Sequence, residues 1–147
     1  MTVPNEILLE EVARLLTEGK DVELMTKGNS MLPYIIGNRD SVILRQEDGY
    51  RLRAGDIVLA RRGAGVFVLH RIIAISGDEL TLRGDGNVWG TETVRREDVL
   101  GRVIRIVHPS GKSCVAHKAF FWRHTGPLFR RCVLAAYRRT IYKILYR

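Results

Sequence analysis

The sequence predicts a mainly β protein, an antiparallel and partly closed β-barrel-like core with one helix before it and a basic amphipathic helix after it. Three observations carry that expectation. Between Val22 and Val107, short runs of β-branched and aliphatic residues alternate with Gly and Asp punctuation and show no helical period. Apolar residues at helical spacing occur only towards the two ends of the chain. The length of 147 residues suits about one domain, large enough to bury a core without disulfides or metal.

Taken in order, Pro4 and Asn5 cap a stripe made by Ile7, Leu8, Val12, Leu15 and Leu16 that closes at Gly19, which predicts a helix over 6–18. The runs VELMT from Val22, SVILRQ from Ser41, DIVLARR from Asp56, VFVLHRIIAIS from Val66, ELTLRG from Glu79 and VLGRVIRIV from Val99 read as five or six strands. Gly77-Asp78 between two of them reads as a hairpin turn. Consecutive strands without intervening helices favour antiparallel, barrel-like closure. After Pro109 the texture changes: an aromatic opening at Phe120 breaks at Gly126-Pro127 and continues as a helix of about twenty residues. On it, Phe129, Val133, Tyr137, Ile141 and Ile144 share one face, and Arg130, Arg131, Arg138, Arg139 and Lys143 spread over the other. The expected division is a β domain with its helix over 1–108 and a basic helical extension over 109–147.

Charge is divided in the same way. Residues 1–98 hold 13 basic and 16 acidic side chains, whereas residues 99–147 hold 11 basic and none acidic. Such a C-terminal third suits an anionic lipid surface or a solvated basic face, and Trp122, Tyr137, Tyr142 and Tyr146 are types enriched at lipid headgroups, so attachment to an anionic membrane surface is the preferred expectation and nucleic acid the disfavoured one. No stretch approaches the ~18 apolar residues of a membrane span, and the N-terminal segment is acidic where a signal peptide is basic, which predicts a cytoplasmic protein, peripheral at the membrane at most. Cys114 and Cys132 lack metal-ligand spacing and read as two reduced thiols, with a single bridge between them left open. No metal site and no cofactor is read from the chain.

The chemistry-bearing stretch is GNSMLPY at Gly28–Tyr34. A serine hydroxyl becomes a nucleophile when a base takes its proton, and the resulting oxyanion needs donors aimed at it. The Gly28-Asn29-Ser30 turn supplies exposure and backbone N–H groups, and Pro33 stiffens its exit. Gly28, Asn29 and Met31, flanking the serine, are the candidate substrate-binding positions. His70, amid Val66, Val68, Ile72 and Ala74 on one face under strand alternation, is the candidate general base. Asp85, in the Gly-flanked turn of LRGDGN, is the candidate carboxylate to fix the histidine tautomer. Each has a plainer reading, as a loop turn, a packed histidine and an Asp-Gly turn.

Taken together, Ser30-Met31-x-Pro33, Gly55-Asp56-Ile57-Val58, His70-Arg71-Ile72, Arg83-Gly84-Asp85-Gly86-Asn87 and Val99-Leu100-Gly101-Arg102-Val103 resemble, in order, the boxes of type I signal peptidases. The resemblance covers about residues 22–107 and is to the histidine variant of eukaryotic and archaeal enzymes within the signal-peptidase and LexA-like superfamily. It implies a mostly β peptidase core, with Ser30 as acylating nucleophile, His70 as base and the Ser30 N–H as an oxyanion donor. It places the acidic residue beyond the Gly-Asp-Asn box, where this chain reads Gly90-Thr91-Glu92. Asp85 and Glu92 are therefore both candidates, Asp85 being preferred because its turn directly follows a strand. The chain departs from the pattern in carrying Gly28 where a second oxyanion serine is common, and an acidic amphipathic helix where a membrane span is usual. The expected function is a serine endopeptidase cleaving a leader or precursor peptide. The alternatives are an inactive peptidase-fold module binding a membrane, peptide or RNA, and a self-cleaving LexA-like domain.

Overall fold

The computed structural model describes residues 6–145. Helix α1 (Glu6–Thr17) buries Leu9, Val12 and Leu16, spaced three and four apart, so that one stripe faces the core. The expected cap at Pro4 and Asn5, and the side chain of Ile7, lie outside the described residues. Eight antiparallel strands follow: β1 (Val22–Met25), β2 (Ser41–Arg45), β3 (Ile57–Arg61), β4 (Phe67–Ser76), β5 (Glu79–Arg83), β6 (Glu92–Arg95), β7 (Val99–Val107) and β8 (Ser113–Val115). They form one curled half-barrel sheet in the order β1-β2-β7-β3-β4-β5-β6, with β8 paired to β7. Helices α2 (Phe120–Arg123) and α3 (Pro127–Leu145) close the chain.

The six runs expected from sequence coincide with β1 to β5 and β7, and Gly77-Asp78 is the two-residue turn joining Ser76 to its partner Glu79. Strands β6 and β8 were not anticipated. Val94 is the only buried residue of β6, and all three residues of β8 are exposed, so neither carries a hydrophobic period; pairing with β5 and β7 makes them strands.

At the centre, β3 and β4 are buried on both faces. Ile57, Leu59, Phe67 and Leu69 join α1 and the Met31–Ile35 turn in one cluster, while Val58, Ala60, Val68 and Ile72 join Leu80, Leu82 and Val94 in the other. The β4–β5 register slips between Ile72 and Ala74. That bulge breaks the alternation, so Ala74, expected beside His70, is exposed.

The C-terminal helix corrects its expected faces. Leu134 is buried, and Val133 and Tyr137 pack with Leu32, Ile36, Ala119 and Trp122, but Phe129 is exposed and Arg130 is buried. Trp122, expected at a lipid headgroup, is buried as well. The side chains of Ile141, Tyr142, Lys143, Ile144 and Tyr146 lie outside the described residues. Cys114 and Cys132 are free, exposed thiols. Among the described residues, no helix is long and apolar enough to cross a membrane.

Candidate active site

The serine sits on a turn whose neighbours are nailed into the core. Met31 and Ile35 enter the cluster beneath α1, and Leu32 and Ile36 enter the cluster beneath α3. The base of the loop is closed by the Thr26 hydroxyl donating to the Asp40 carbonyl at 2.6 Å and the Ile36 N–H donating to the Asp40 carboxylate at 2.9 Å. Gly28 has φ +77, a left-handed conformation that glycine adopts without penalty. The Leu32-Pro33 peptide is cis. Ser30 itself is partly exposed, immediately before the buried Met31 and Leu32.

Of the expected substrate-binding positions, Gly28 and Asn29 line a cleft of about 420 Å³ together with Ser30, Arg62, Val66, Val68, His70, Asn87 and Glu92. Met31 does not line it. Its side chain is fully buried in the core, because strong local burial of the residue after the serine is what holds the turn.

Ser30 Oγ stands 3.1 Å from His70 Nε2, and the other ring nitrogen, Nδ1, contacts the Glu92 carboxylate. With Nδ1 protonated towards Glu92, Nε2 is the acceptor for the serine hydroxyl. Strand register explains why this carboxylate is Glu92. Residues directly opposite in antiparallel strands project to the same face. His70 and Ile72 share a face of β4, Ile72 pairs with Leu82 of β5, and Leu82 pairs with Glu92 of β6. Glu92 is thus carried onto the histidine's side of the sheet.

The same counting corrects the assignment of Asp85. Arg71, on the opposite face from His70, pairs with Arg83, and Asp85 lies two residues further on. Its carboxylate accepts from Arg71 Nε at 2.8 Å and from Nη2 at 2.7 Å, in a pair that is 1% and 3% exposed. Arg71 Nη1 also donates to the carbonyls of Gly55 and His117, each at 2.7 Å. Asp85 is therefore committed to a buried ion pair that ties β4 to the loop after β5. From sequence Glu92 ranks second because the Asp85 turn directly follows a strand, and β6 carries no hydrophobic period that would raise it. Without that strand, the ladder from Ile72 could not be followed to it.

The loop after β5 presses against the serine turn. The Gly86 N–H donates to the Ser30 carbonyl at 2.7 Å. A Cβ on Gly84 would fall 2.3 Å from the Ser30 carbonyl oxygen and 3.1 Å from His70 Nε2, so glycine is what allows the close approach. Among other cleft residues, Arg62 carries no motif in the sequence, while Val66 and Asn87 are legible there only as a neighbour of His70 on its strand face and as the end of the Gly-Asp-Asn box.

Burial pushes the His70 pKa down, to about 3, and the positive charge of Arg62 acts in the same sense. The resting imidazole is neutral and able to accept a proton. The Glu92 carboxylate works in the opposite direction once it does, by stabilising the imidazolium. Arg62 lies 3.5 Å from Glu92, at the cleft's open side.

A serine, a neutral histidine and a carboxylate in sequence form an arrangement able to transfer a proton from an attacking hydroxyl. No curated protein matches the chain. The model of one family does, described as Peptidase S24-like, over residues 3–104. That span includes Ser30, His70 and Glu92 and every strand of the sheet from β1 into β7, more than half of the chain, and on this match the protein belongs to the Peptidase S24-like family.

Proposed function

We propose that the protein is a serine endopeptidase that cleaves a leader or precursor peptide through an acyl-enzyme on Ser30, with His70 as general base and Glu92 as the group that orients it. The 3.1 Å approach of Ser30 Oγ to His70 Nε2 carries this reading, and the family match supports it. In acylation, Ser30 Oγ attacks the peptide carbonyl carbon as its proton passes to His70 Nε2, and the carbonyl oxygen becomes an oxyanion to which the Ser30 N–H donates. Collapse of that intermediate breaks the C–N bond, and the imidazolium returns its proton to the departing amine. In the second half, His70 takes a proton from water, the hydroxide adds to the ester carbon, and the C–Oγ bond breaks as the imidazolium returns its proton to Ser30 Oγ, releasing the new C-terminal acid and restoring the serine hydroxyl.

The test is incubation of the full chain with a diverse peptide library, sequencing of the cuts, and mass analysis after treatment with a fluorophosphonate. Cuts and a Ser30 adduct in the wild type, both absent in Ser30→Ala, are expected. Neither cut nor adduct in the wild type would leave an inactive peptidase-fold module. Cleavage within the chain itself, at a rate independent of concentration, would identify a self-cleaving domain instead.

The exposed side of the C-terminal helices favours substrates presented at an anionic lipid surface. Phe120, Phe121, Leu128 and Phe129 are each more than half exposed around the α2–α3 turn, and no acidic residue occurs from 99 to 147. Exposed aromatics beside unopposed cations match the headgroup region of an anionic bilayer.

A further inference from the structure

The family match ends at residue 104, and the proton transfers above use nothing beyond it. The C-terminal helices nevertheless grip the loop that backs the serine. Arg130, in the first turn of α3, is 1% exposed. Its Nη1 donates to the Trp122 carbonyl at 2.7 Å, and its Nη2 to the carbonyls of Asp85 at 3.0 Å and Asn87 at 3.1 Å. The guanidinium lies 4.8 Å from the Trp122 ring centroid, and the Trp122 indole N–H donates to the same Asp85 carbonyl at 2.9 Å. Two turns along α3, Arg138 Nη2 donates to the Gly86 carbonyl at 2.9 Å. The Gly84 carbonyl accepts from the Asn87 N–H at 2.9 Å. All four carbonyls of the Gly84–Asn87 loop thus have donors, and three of the four are held from the C-terminal helices.

A cation taken out of water is costly unless its hydrogen bonds are replaced. Here two of the three replacement partners are backbone carbonyls of one loop, those of Asp85 and Asn87, so the burial of Arg130 fixes that loop's path against α2. The loop in turn holds Ser30 through the Gly86 N–H and abuts His70 Nε2 at Gly84. We propose that Arg130, together with Trp122, is a positioning residue for the Ser30–His70 pair, and that α2 and α3 form part of the catalytic unit by clamping the Gly84–Asn87 loop. The inference rests on the peptidase reading of that pair.

The test compares full-length wild type with Arg130→Met, Arg130→Lys and Trp122→Phe, using exposed Arg131→Met as the control. Two quantities are read: the rate of fluorophosphonate addition to Ser30 across pH, and amide hydrogen exchange at Gly86 relative to the amides of β3 and β4. Arg130→Met is expected to slow labelling by about tenfold or more, since small displacements of reacting groups are costly. It should also speed Gly86 exchange while β3 and β4 stay protected. Arg130→Lys and Trp122→Phe should fall between it and wild type, and Arg131→Met should match wild type. A folded Arg130→Met that labels and exchanges like wild type overturns the proposal. If Arg130→Met does not fold, Arg130→Lys and Trp122→Phe decide by the same two readouts. Should wild type take no label, the peptidase reading is lost and Gly86 exchange alone decides the clamp, faster local exchange supporting it and unchanged exchange overturning it.

Discussion

At the scale of single residues, the site turns on two carboxylates with different work to do. Glu92 meets His70 and is partly open to the cleft, whereas Asp85 neutralises buried Arg71. Glu92→Gln is therefore expected to leave the thermal midpoint close to wild type and to lower Ser30 labelling tenfold or more, on the order of a lost orienting group. Asp85→Asn should do the reverse in emphasis, destabilising the fold by about 3 kcal/mol because it strands a buried guanidinium. Calorimetry and probe labelling on the two variants separate the roles, and equal loss of stability in both would contradict them. His70→Ala should abolish labelling, while His70→Lys should keep a measurable fraction, because burial can lower a lysine's pKa enough for it to serve as base. Wild-type labelling by the alanine variant would point to another base. The pH dependence follows from the same burial. The unfolded imidazole binds a proton near its ordinary value of 6.5, and the folded one only near about 3. Between these values the unfolded state holds more protons, so this group's effect is to reduce stability as pH falls through that window. NMR titration of the His70 ring should find it neutral at pH 5.5, and a midpoint at or above 6.5 would show that Glu92 outweighs burial.

At the scale of elements, the decisive feature is the meeting of two loops, the serine turn after β1 and the glycine-rich loop after β5. Their separation leaves no room for a side chain at position 84. Gly84→Ala is expected to push the Ser30 carbonyl and His70 ring apart, cutting labelling by an order of magnitude or more while the sheet persists in circular dichroism. Unaltered labelling would mean that the contact is slack. Legibility differed between these elements. The turn and β4 were readable because GNSMLPY and VFVLHRIIAIS carry strong local chemistry. Strand β6 was not, since Glu92-Thr93-Val94-Arg95 buries one side chain and exists by pairing with β5.

At the scale of the whole molecule, the strongly basic C-terminal third does two things. Its inner residues Arg130, Leu134 and Trp122 pack onto the core, and its outer residues Phe120, Phe121, Leu128 and Phe129 remain in solvent. Vesicle co-sedimentation should show binding to anionic but not neutral bilayers that weakens with salt, with each nearby cation adding about 1 kcal/mol. Replacing Phe120, Phe121 and Phe129 by Ser should reduce binding without altering the melting profile. Equal affinity of that variant, or no sedimentation of the wild type with either lipid, would leave the aromatic cluster as a protein-docking surface.

The sequence by itself determined the mainly β class, six of the eight strands, both long helices and the two residues that approach each other, Ser30 and His70. These are features written in local periodicity, turn chemistry and residue type. Only the tertiary structure decided which carboxylate serves the histidine and which face of α3 turns inward. Glu92 reaches His70 through a register carried across three strands, and no spacing along the chain records that sum. Arg130 is buried because three backbone carbonyls, two from the loop after β5 and one from Trp122, lie where α3 docks, and helical periodicity assigns an arginine to water when it cannot see the acceptors waiting on another element.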